Sequence, residues 1–185
     1  MKKLMIAVAA FAIAVSAQAA AWSWSSTDAA VKPGTSTALA SADIYLFFGY
    51  SSSAEANTAK GNLLTSLRAG NEISGYTKSA KLNASGVLET QEFTGEATKN
   101  YAFAVILADD TAGNSYMFQS ANKNATGLET GTAALQFAIS STTLKGLTET
   151  GTGAGWYQTA AAPEPTSGLL LLLGVAGLAL KRKRA

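Results

Sequence analysis

The sequence predicts a mainly β fold: an antiparallel β-sandwich-like domain with one packed α-helix at about residues 54–69. Two observations predict it. Short segments rich in aromatic and β-branched residues recur along the chain, separated by clusters of Gly, Asn, Ser and Thr. One segment only has apolar residues at helical spacing inside the domain. Strands spaced in this way are typical of a sandwich or barrel-like sheet and not of alternating βαβ units.

Two segments, 43–50 and 101–108, are the predicted central strands because they are apolar on both faces. In the second, side chains alternate between a bulky face that includes Phe103 and Val105 and a small face that includes Ala102 and Ala104. We expect the small face to have a close neighbour, for which the predicted helix is the candidate. The remaining predicted strands are 74–82, 87–93, 116–120, 133–140 and 155–159.

The helix is predicted from its two ends and its apolar side. Ser52 with Glu55 three residues later forms a capping-box pattern, and Gly70 follows the last periodic residue. Gly61 weakens the helix by about 1 kcal/mol relative to Ala. The apolar side comprises Ala56, Ala59, Leu63, Leu64 and Leu67.

Residues 1–19 have the three parts of a secretory signal peptide. Lys2 and Lys3 precede an apolar stretch of about twelve residues, and small residues at Ala17 and Ala19 suit signal peptidase. Twelve apolar residues are too few to span a bilayer. We therefore expect an N-terminal signal helix that signal peptidase removes.

The excess of positive charge comes from the two ends of the chain. The formal net charge is +2, but the segment 20–162 has eight basic and eleven acidic residues, a net charge of −3. This distribution argues against nucleic acid as a partner. The chain has no Cys and no His. It therefore has no disulfide and no thiolate nucleophile, and it has no imidazole that could act as a base or as a metal ligand. We expect no cofactor and no metal.

The C-terminus has three parts in order. The first, Pro163, Glu164 and Pro165, forms a stiff, extended stalk, since proline restricts the residue before it. The second, residues 166–180, would form a helix of about 22 Å, short of a hydrocarbon core of about 30 Å. The third part is a basic tail, which we expect to stay in the cytoplasm because positively charged residues favour that side of the membrane. The leucines of the predicted membrane anchor are Leu169, Leu170, Leu171, Leu172, Leu173, Leu178 and Leu180, and the basic tail is Lys181, Arg182, Lys183 and Arg184.

These three parts closely resemble the PEP-CTERM sorting domain of Gram-negative bacteria, over roughly residues 162–185. The resemblance implies recognition by exosortase, an integral-membrane cysteine protease or transpeptidase, and release or attachment at the cell surface, commonly beside exopolysaccharide. The chain would then be a substrate of that machinery. The predicted organisation is a signal peptide at 1–19, a β-rich extracellular domain at 20–155, the end of the domain and a linker at 156–162, and the sorting signal at 163–185.

Three groups of residues are candidate ligand or catalytic sites. The loop 109–114 offers oxygen ligands for Ca²⁺, although Asp, Gly and Asn are also ordinary hairpin residues. Glu89, Glu92 and Glu96 could supply a glycosidase pair or be solvated strand residues. The aromatic residues at the ends of the domain could stack on glycans, or close a core in which the terminal strands pair with each other. They are Trp22, Trp24, Trp156 and Tyr157.

We therefore expect a non-enzymatic exported surface or extracellular-matrix protein that is held transiently in the membrane and sorted by an exosortase-like enzyme, in association with exopolysaccharide. Two alternatives stay open. One is a secreted glycan-acting hydrolase that uses carboxylates such as Glu89 or Glu92. The other is a membrane-anchored adhesin that keeps its C-terminal helix.

Overall fold

The computed structural model describes residues 19–96, 98–126, 128 and 134–160. These residues form a mainly β fold of two sheets with one helix, as the sequence predicted. The predicted signal peptide, apart from Ala19, and the predicted C-terminal helix lie outside the described residues. Among the residues described, no helix is long and apolar enough to cross a membrane.

The helix α1 spans Ser53–Arg68. The strands, in chain order, are β1 Ala19–Ser26, β2 Asp43–Tyr50, β3 Lys78–Lys81, β4 Gln91–Glu96, β5 Tyr101–Asp109, β6 Ser115–Gln119, β7 Lys123–Asn124, β8 Leu135–Phe137, β9 Leu144–Lys145 and β10 Gly155–Ala160.

The larger sheet has the strand order β3-β2-β5-β6-β10-β9, with β7 also paired to β5, and the smaller sheet has the order β4-β1-β8. Most pairings are antiparallel, but β1 with β8 and β10 with β9 are parallel. The sheets are therefore mixed and not purely antiparallel as expected. Both exceptions are short edge strands, and the loop 146–154 between β9 and β10 is long enough to return the chain in the same direction, which a tight hairpin cannot do.

One predicted strand is displaced and two are shorter than expected. The strand expected at 87–93 lies at Gln91–Glu96, the strand expected at 74–82 is Lys78–Lys81, and the strand expected at 133–140 is Leu135–Phe137. Leu88 is buried, and its N–H donates to the hydroxyl of Ser26 at 2.9 Å, outside any ladder. Leu88 is therefore part of the core without being part of a strand, and the apolar pattern that includes it placed the predicted strand too early in the chain.

The terminal strands do not pair with each other, which corrects one expectation. β1 is the central strand of the smaller sheet, and β10 lies in the larger sheet between β6 and β9. Their rings nevertheless meet, since Trp22, Trp24 and Trp156 belong to one apolar cluster between the two sheets. The tryptophans thus join the sheets through side chains.

The two faces of β5 are used in the opposite way to the prediction. The small face, with Ala102 and Ala104, faces the smaller sheet and its tryptophans, whereas Phe103 and Val105 face the helix. Small residues leave room for the indole rings, which are the largest side chains in the core. The close neighbour of the alanine face is therefore the tryptophan layer, and α1 packs on the bulky face.

Helix α1 begins at the cap that the sequence predicted. The hydroxyl of Ser52 accepts the backbone N–H of Glu55 at 3.2 Å, and the Glu55 carboxylate accepts the N–H of Ser51 at 2.8 Å. The helix buries Ala56, Lys60 and Leu64 against the larger sheet. It lies on the outer face of that sheet and forms one wall of the groove described next.

Candidate functional site

A groove of about 320 Å³ runs along the contact between α1 and the segment that leads into β3. Its floor is rigid because Phe47 and Tyr50 both stack on Phe103, at centroid distances of 5.0 and 5.6 Å and interplanar angles of 4° and 19°. The lining carries no charged side chain. It consists of Phe47, Tyr50, Ala59, Asn62, Leu63, Ser66, Ser74 and Gly75.

Two tyrosines extend this groove along β2. Tyr45 lies two positions before Phe47 on the same face of the strand, and Tyr76 follows Gly75. The two phenol rings contact each other, with centroids 5.0 Å apart and planes at 57°. Tyr76 is 41% exposed, one of the few large apolar side chains so open to solvent. We call the groove together with this pair the tyrosine groove.

The position of Tyr76 is fixed by the next residue. The backbone N–H of Thr77 donates to the Leu46 carbonyl at 2.7 Å. The Thr77 hydroxyl accepts the N–H of Phe48 at 3.1 Å and donates to the Phe48 carbonyl at 3.3 Å. Because these bonds hold Thr77 against β2, the exposed ring beside it has a defined place in the tyrosine groove.

Charged side chains lie near both ends of the tyrosine groove. Lys81 Nζ is 2.9 Å from the Asp43 carboxylate, on exposed side chains next to Tyr45. Burial, reinforced by Asp43 and Tyr76 and opposed by Lys81, raises the pKa of the Tyr45 phenol. Burial raises the pKa of the Tyr50 phenol, and the negative charge of Glu55 raises it further. Both phenols are therefore protonated at neutral pH and can donate hydrogen bonds.

A second groove, of about 420 Å³, opens between the edge strands of the two sheets. It is bordered by Thr77, Lys78, Glu92 and Phe93. Lys78 lies opposite Leu46, which is buried between the sheets, so Lys78 projects toward the inner side of an edge strand. An inward-pointing charge of this kind blocks the addition of another strand. We therefore place the candidate site at the tyrosine groove.

The four aromatic residues considered for glycan stacking or for closing a core are not available to a glycan. Trp22, Trp24 and Trp156 are 1%, 0% and 0% exposed, and Tyr157 is equally buried on the helix side of the larger sheet. The Tyr157 hydroxyl donates to the Gly153 carbonyl at 2.9 Å and accepts from Lys145 at 2.8 Å. These four rings close the cores, and among the described residues the exposed aromatic ring is that of Tyr76, which contacts the half-buried Tyr45.

The carboxylates proposed for hydrolysis lie on an exposed surface. Glu89 accepts from the Asn83 side chain at 3.3 Å, and Glu96 pairs with Lys99 at 3.1 Å. Glu92 and Glu96 are exposed on β4, four residues apart, so their Cα atoms are about 13 Å from each other. The structure does not bring these acids together in a cleft with a common target.

In the loop 109–114, which was considered as a Ca²⁺ site, the Asp110 carboxylate is already used by the loop itself. It accepts the backbone N–H groups of Ala112 at 2.8 Å and Asn114 at 2.9 Å, and the Asn114 side chain at 2.8 Å. The bond from the Asn114 side chain is the largest cause of a lowered Asp110 pKa. These contacts are those of a hairpin turn, and among the described residues no cluster of acids is suited to a metal ion.

Lys60 is a buried cation that the sequence analysis missed. Its side chain is 1% exposed, and Nζ donates to the Ser120 carbonyl at 2.6 Å and lies 5.2 Å from the centre of the Phe103 ring. Burial lowers its pKa to about 8. The only signal in the sequence is its position one turn from both Ala56 and Leu64, on the apolar side of the helix.

Comparisons with protein-family models, with curated proteins and with solved structures found no match. The sorting residues Pro163, Glu164 and Pro165, the leucines of the anchor and the basic tail all lie outside the described residues. The last strand of the domain, β10, ends at Ala160, three positions before Pro163.

Proposed function

We propose that this protein is a non-enzymatic exported protein that an exosortase-like enzyme sorts to the cell surface or extracellular matrix, where it associates with exopolysaccharide. The observation that carries the proposal is the order Pro163-Glu164-Pro165, apolar segment and basic cluster at the C-terminus of a chain that begins with a signal-like segment. The membrane contact is transient, because about 22 Å of apolar helix is short for a stable span.

The composition and packing of the β-rich domain are compatible with an extracellular location. It has no cysteine and is held by packing between two sheets, with three buried tryptophans between them. The described surface offers open grooves, and of the three acids considered for hydrolysis only Glu92 lines one of the grooves described above, while Glu89 pairs with Asn83 and Glu96 with Lys99. These features support a binding or structural role over hydrolysis.

The sorting step is tested in a native host strain with active sorting. The wild-type chain and a Pro163→Ala/Pro165→Ala variant are isolated from the cell surface and medium, and their intact masses are measured. We expect the wild-type mass to lack the residues beyond the stalk, and the variant to retain them. Thr148→Ala, in an exposed loop of the domain, is the control and should be processed normally.

An intact C-terminus on wild-type protein at the cell surface would contradict sorting. In that case the chain is a membrane-anchored adhesin with its helix retained. A hydrolase is tested separately, by replacing Glu89 and Glu92 with Gln in any preparation that degrades a glycan; loss of the degradation would contradict the non-enzymatic assignment.

A further inference from the structure

We propose that the tyrosine groove is a binding site for an uncharged polysaccharide. The proposal deepens the proposed function, since it names the site and the class of polymer through which the protein associates with exopolysaccharide. It is carried by three features of the groove: one exposed and two half-buried tyrosine rings, neutral hydrogen-bonding groups and the sign of the charges around it.

The aromatic rings supply apolar faces to which the C–H faces of a sugar ring can pack. Tyr45 and Tyr76 meet at one end of the groove, and Tyr50 lies at the other, five residues along β2 from Tyr45. At the rise of an extended strand this separation is about 16 Å, so the groove is long enough for a chain of sugars and not only for one. The stack of Phe47, Phe103 and Tyr50 beneath it keeps the surface in place before a ligand binds.

The polar groups of the groove are neutral donors and acceptors. Asn62 is exposed on the helix side, Ser66 lies one turn further, and Ser74 is exposed on the opposite wall. The Tyr45 and Tyr50 phenols add two hydroxyls that remain protonated. Hydroxyl and amide groups beside aromatic faces match the alternation of hydroxyl groups and C–H faces on a neutral sugar.

Charge selects against an anionic polymer. The groove lining has no cation, and the lysine of the same helix, Lys60, is buried beneath it. Lys81, at the Tyr45 end, is paired with Asp43 at 2.9 Å. The exposed acid Glu55, at the start of the helix, lies near Tyr50 at the other end of the groove. A polyanion would meet repulsion without a counter-charge, whereas a neutral chain is unaffected.

The test is native affinity electrophoresis of the purified full-length protein in gels that contain hydroxyethyl cellulose, dextran or alginate. We expect at least one of the two neutral polymers to retard the protein and alginate to leave its mobility unchanged. Tyr76→Ala should weaken the retardation about tenfold, the loss expected when an aromatic contact of a binding surface is truncated. Tyr45→Ala should also weaken it.

Two variants serve as controls. Tyr76→Phe keeps the ring and should be retarded nearly as strongly as the wild type. Leu147→Ala removes another exposed apolar side chain, 46% exposed and outside the groove, and should behave as the wild type. Because Tyr76 is 41% exposed and its ring contacts Tyr45, the thermal midpoint of each variant is measured, and retardation is compared only between variants that are folded at the temperature of the gel.

The proposal is overturned if neither neutral polymer retards the wild-type protein, if alginate retards it as strongly, or if Tyr76→Ala is retarded like the wild type. It is also overturned if Tyr76→Ala changes only the oligomeric mass in gel filtration, since the groove would then receive a second copy of the chain. Failure of sorting is distinguishable, because it appears in the mass of the C-terminus and not in the electrophoresis.

Discussion

The Nζ atom of Lys60 lies 2.6 Å from the carbonyl oxygen of Ser120, in the layer between α1 and the larger sheet. Among the described residues no carboxylate forms an ion pair with it, and it lies over the ring of Phe103, 5.2 Å from the centroid. A cation in such a place is held by one backbone dipole and one ring face, which offset only part of its lost hydration. Burial accordingly lowers the pKa of Lys60 to about 8.

This contact predicts that the protein becomes more stable as the pH rises above 8. The unfolded chain keeps Lys60 protonated up to its ordinary pKa of 10.5, whereas the folded chain releases the proton near 8. Between these values the unfolded state binds more protons, so the free energy of unfolding increases with pH, by at most about 3 kcal/mol. Urea unfolding at a series of pH values below 10 measures the slope.

The matched variants for this prediction are Lys60→Met and Lys32→Met. Methionine has a similar length and no charge, so the first should abolish the rise in stability with pH. Lys32 is exposed, and its replacement should leave the rise unchanged. A Lys60→Met protein with the same pH dependence as the wild type would show that the rise has another source.

The N-terminal cap of α1 gives a second prediction. Ser52→Ala removes the hydroxyl that accepts the Glu55 N–H at 3.2 Å and should lower the free energy of unfolding by about 1 kcal/mol. Ser51→Ala is the matched control, because Ser51 contributes only its backbone N–H to the cap. Urea denaturation of both variants measures the difference. Equal stabilities would mean that the serine hydroxyl contributes nothing to the helix end.

Gly86 gives a third prediction, because its backbone has φ = +78° and a Cβ there would lie 2.9 Å from the Ala30 carbonyl oxygen. Gly86→Ala therefore combines left-handed backbone strain of about 1–2 kcal/mol with a backbone clash. Gly146→Ala has no heavy atom within 4 Å and no positive φ, so it should be nearly neutral. Thermal unfolding compares the two; a Gly86→Ala protein as stable as Gly146→Ala would contradict the turn geometry.

The sequence predicted those parts of the fold that one strand or one helix determines by itself. Leu135, Phe137 and Ile139 are buried in alternation with exposed neighbours, as their pattern predicted. The helix and its cap at Ser52 are confirmed as well. In these cases, local periodicity and the side chain of one residue carry enough information.

The sequence could not predict which part of the protein packs against each apolar face of a strand or helix. The alanine face of β5 packs against the tryptophans of β1 and β10. These strands are far apart in the chain, so no local pattern predicts that contact. For the same reason the tryptophans were assigned to the surface as one alternative, while Tyr76, in a segment expected to be a strand, is the exposed ring. Lys60 was missed because a cation does not enter an apolar pattern, although its position on the helix places it inside.

Arg68, in the last turn of α1, supports a fourth prediction because it holds two parts of the chain far from it in sequence. Its guanidinium donates to the carbonyl oxygens of Gln158 at 3.1 Å, Glu149 at 2.9 Å and Gly146 at 3.0 Å. These bonds tie the loop after β9 to both the helix and β10. A planar group with several fixed donors can serve three carbonyls at once, and a lysine ammonium cannot do so in the same geometry.

Arg68→Lys should therefore lower the free energy of unfolding by about 1–3 kcal/mol, through carbonyls left without donors, and should make the loop 146–150 more sensitive to proteases. Lys99→Ala is the comparison, since it breaks an exposed ion pair with Glu96 at 3.1 Å and should change stability by less than about 1 kcal/mol. Urea unfolding and limited proteolysis with mapping of the first cut give both readouts. If Arg68→Lys matches Lys99→Ala in stability and the first cut falls outside the loop, the three carbonyl bonds do not hold the loop, and its position must come from packing of its own residues.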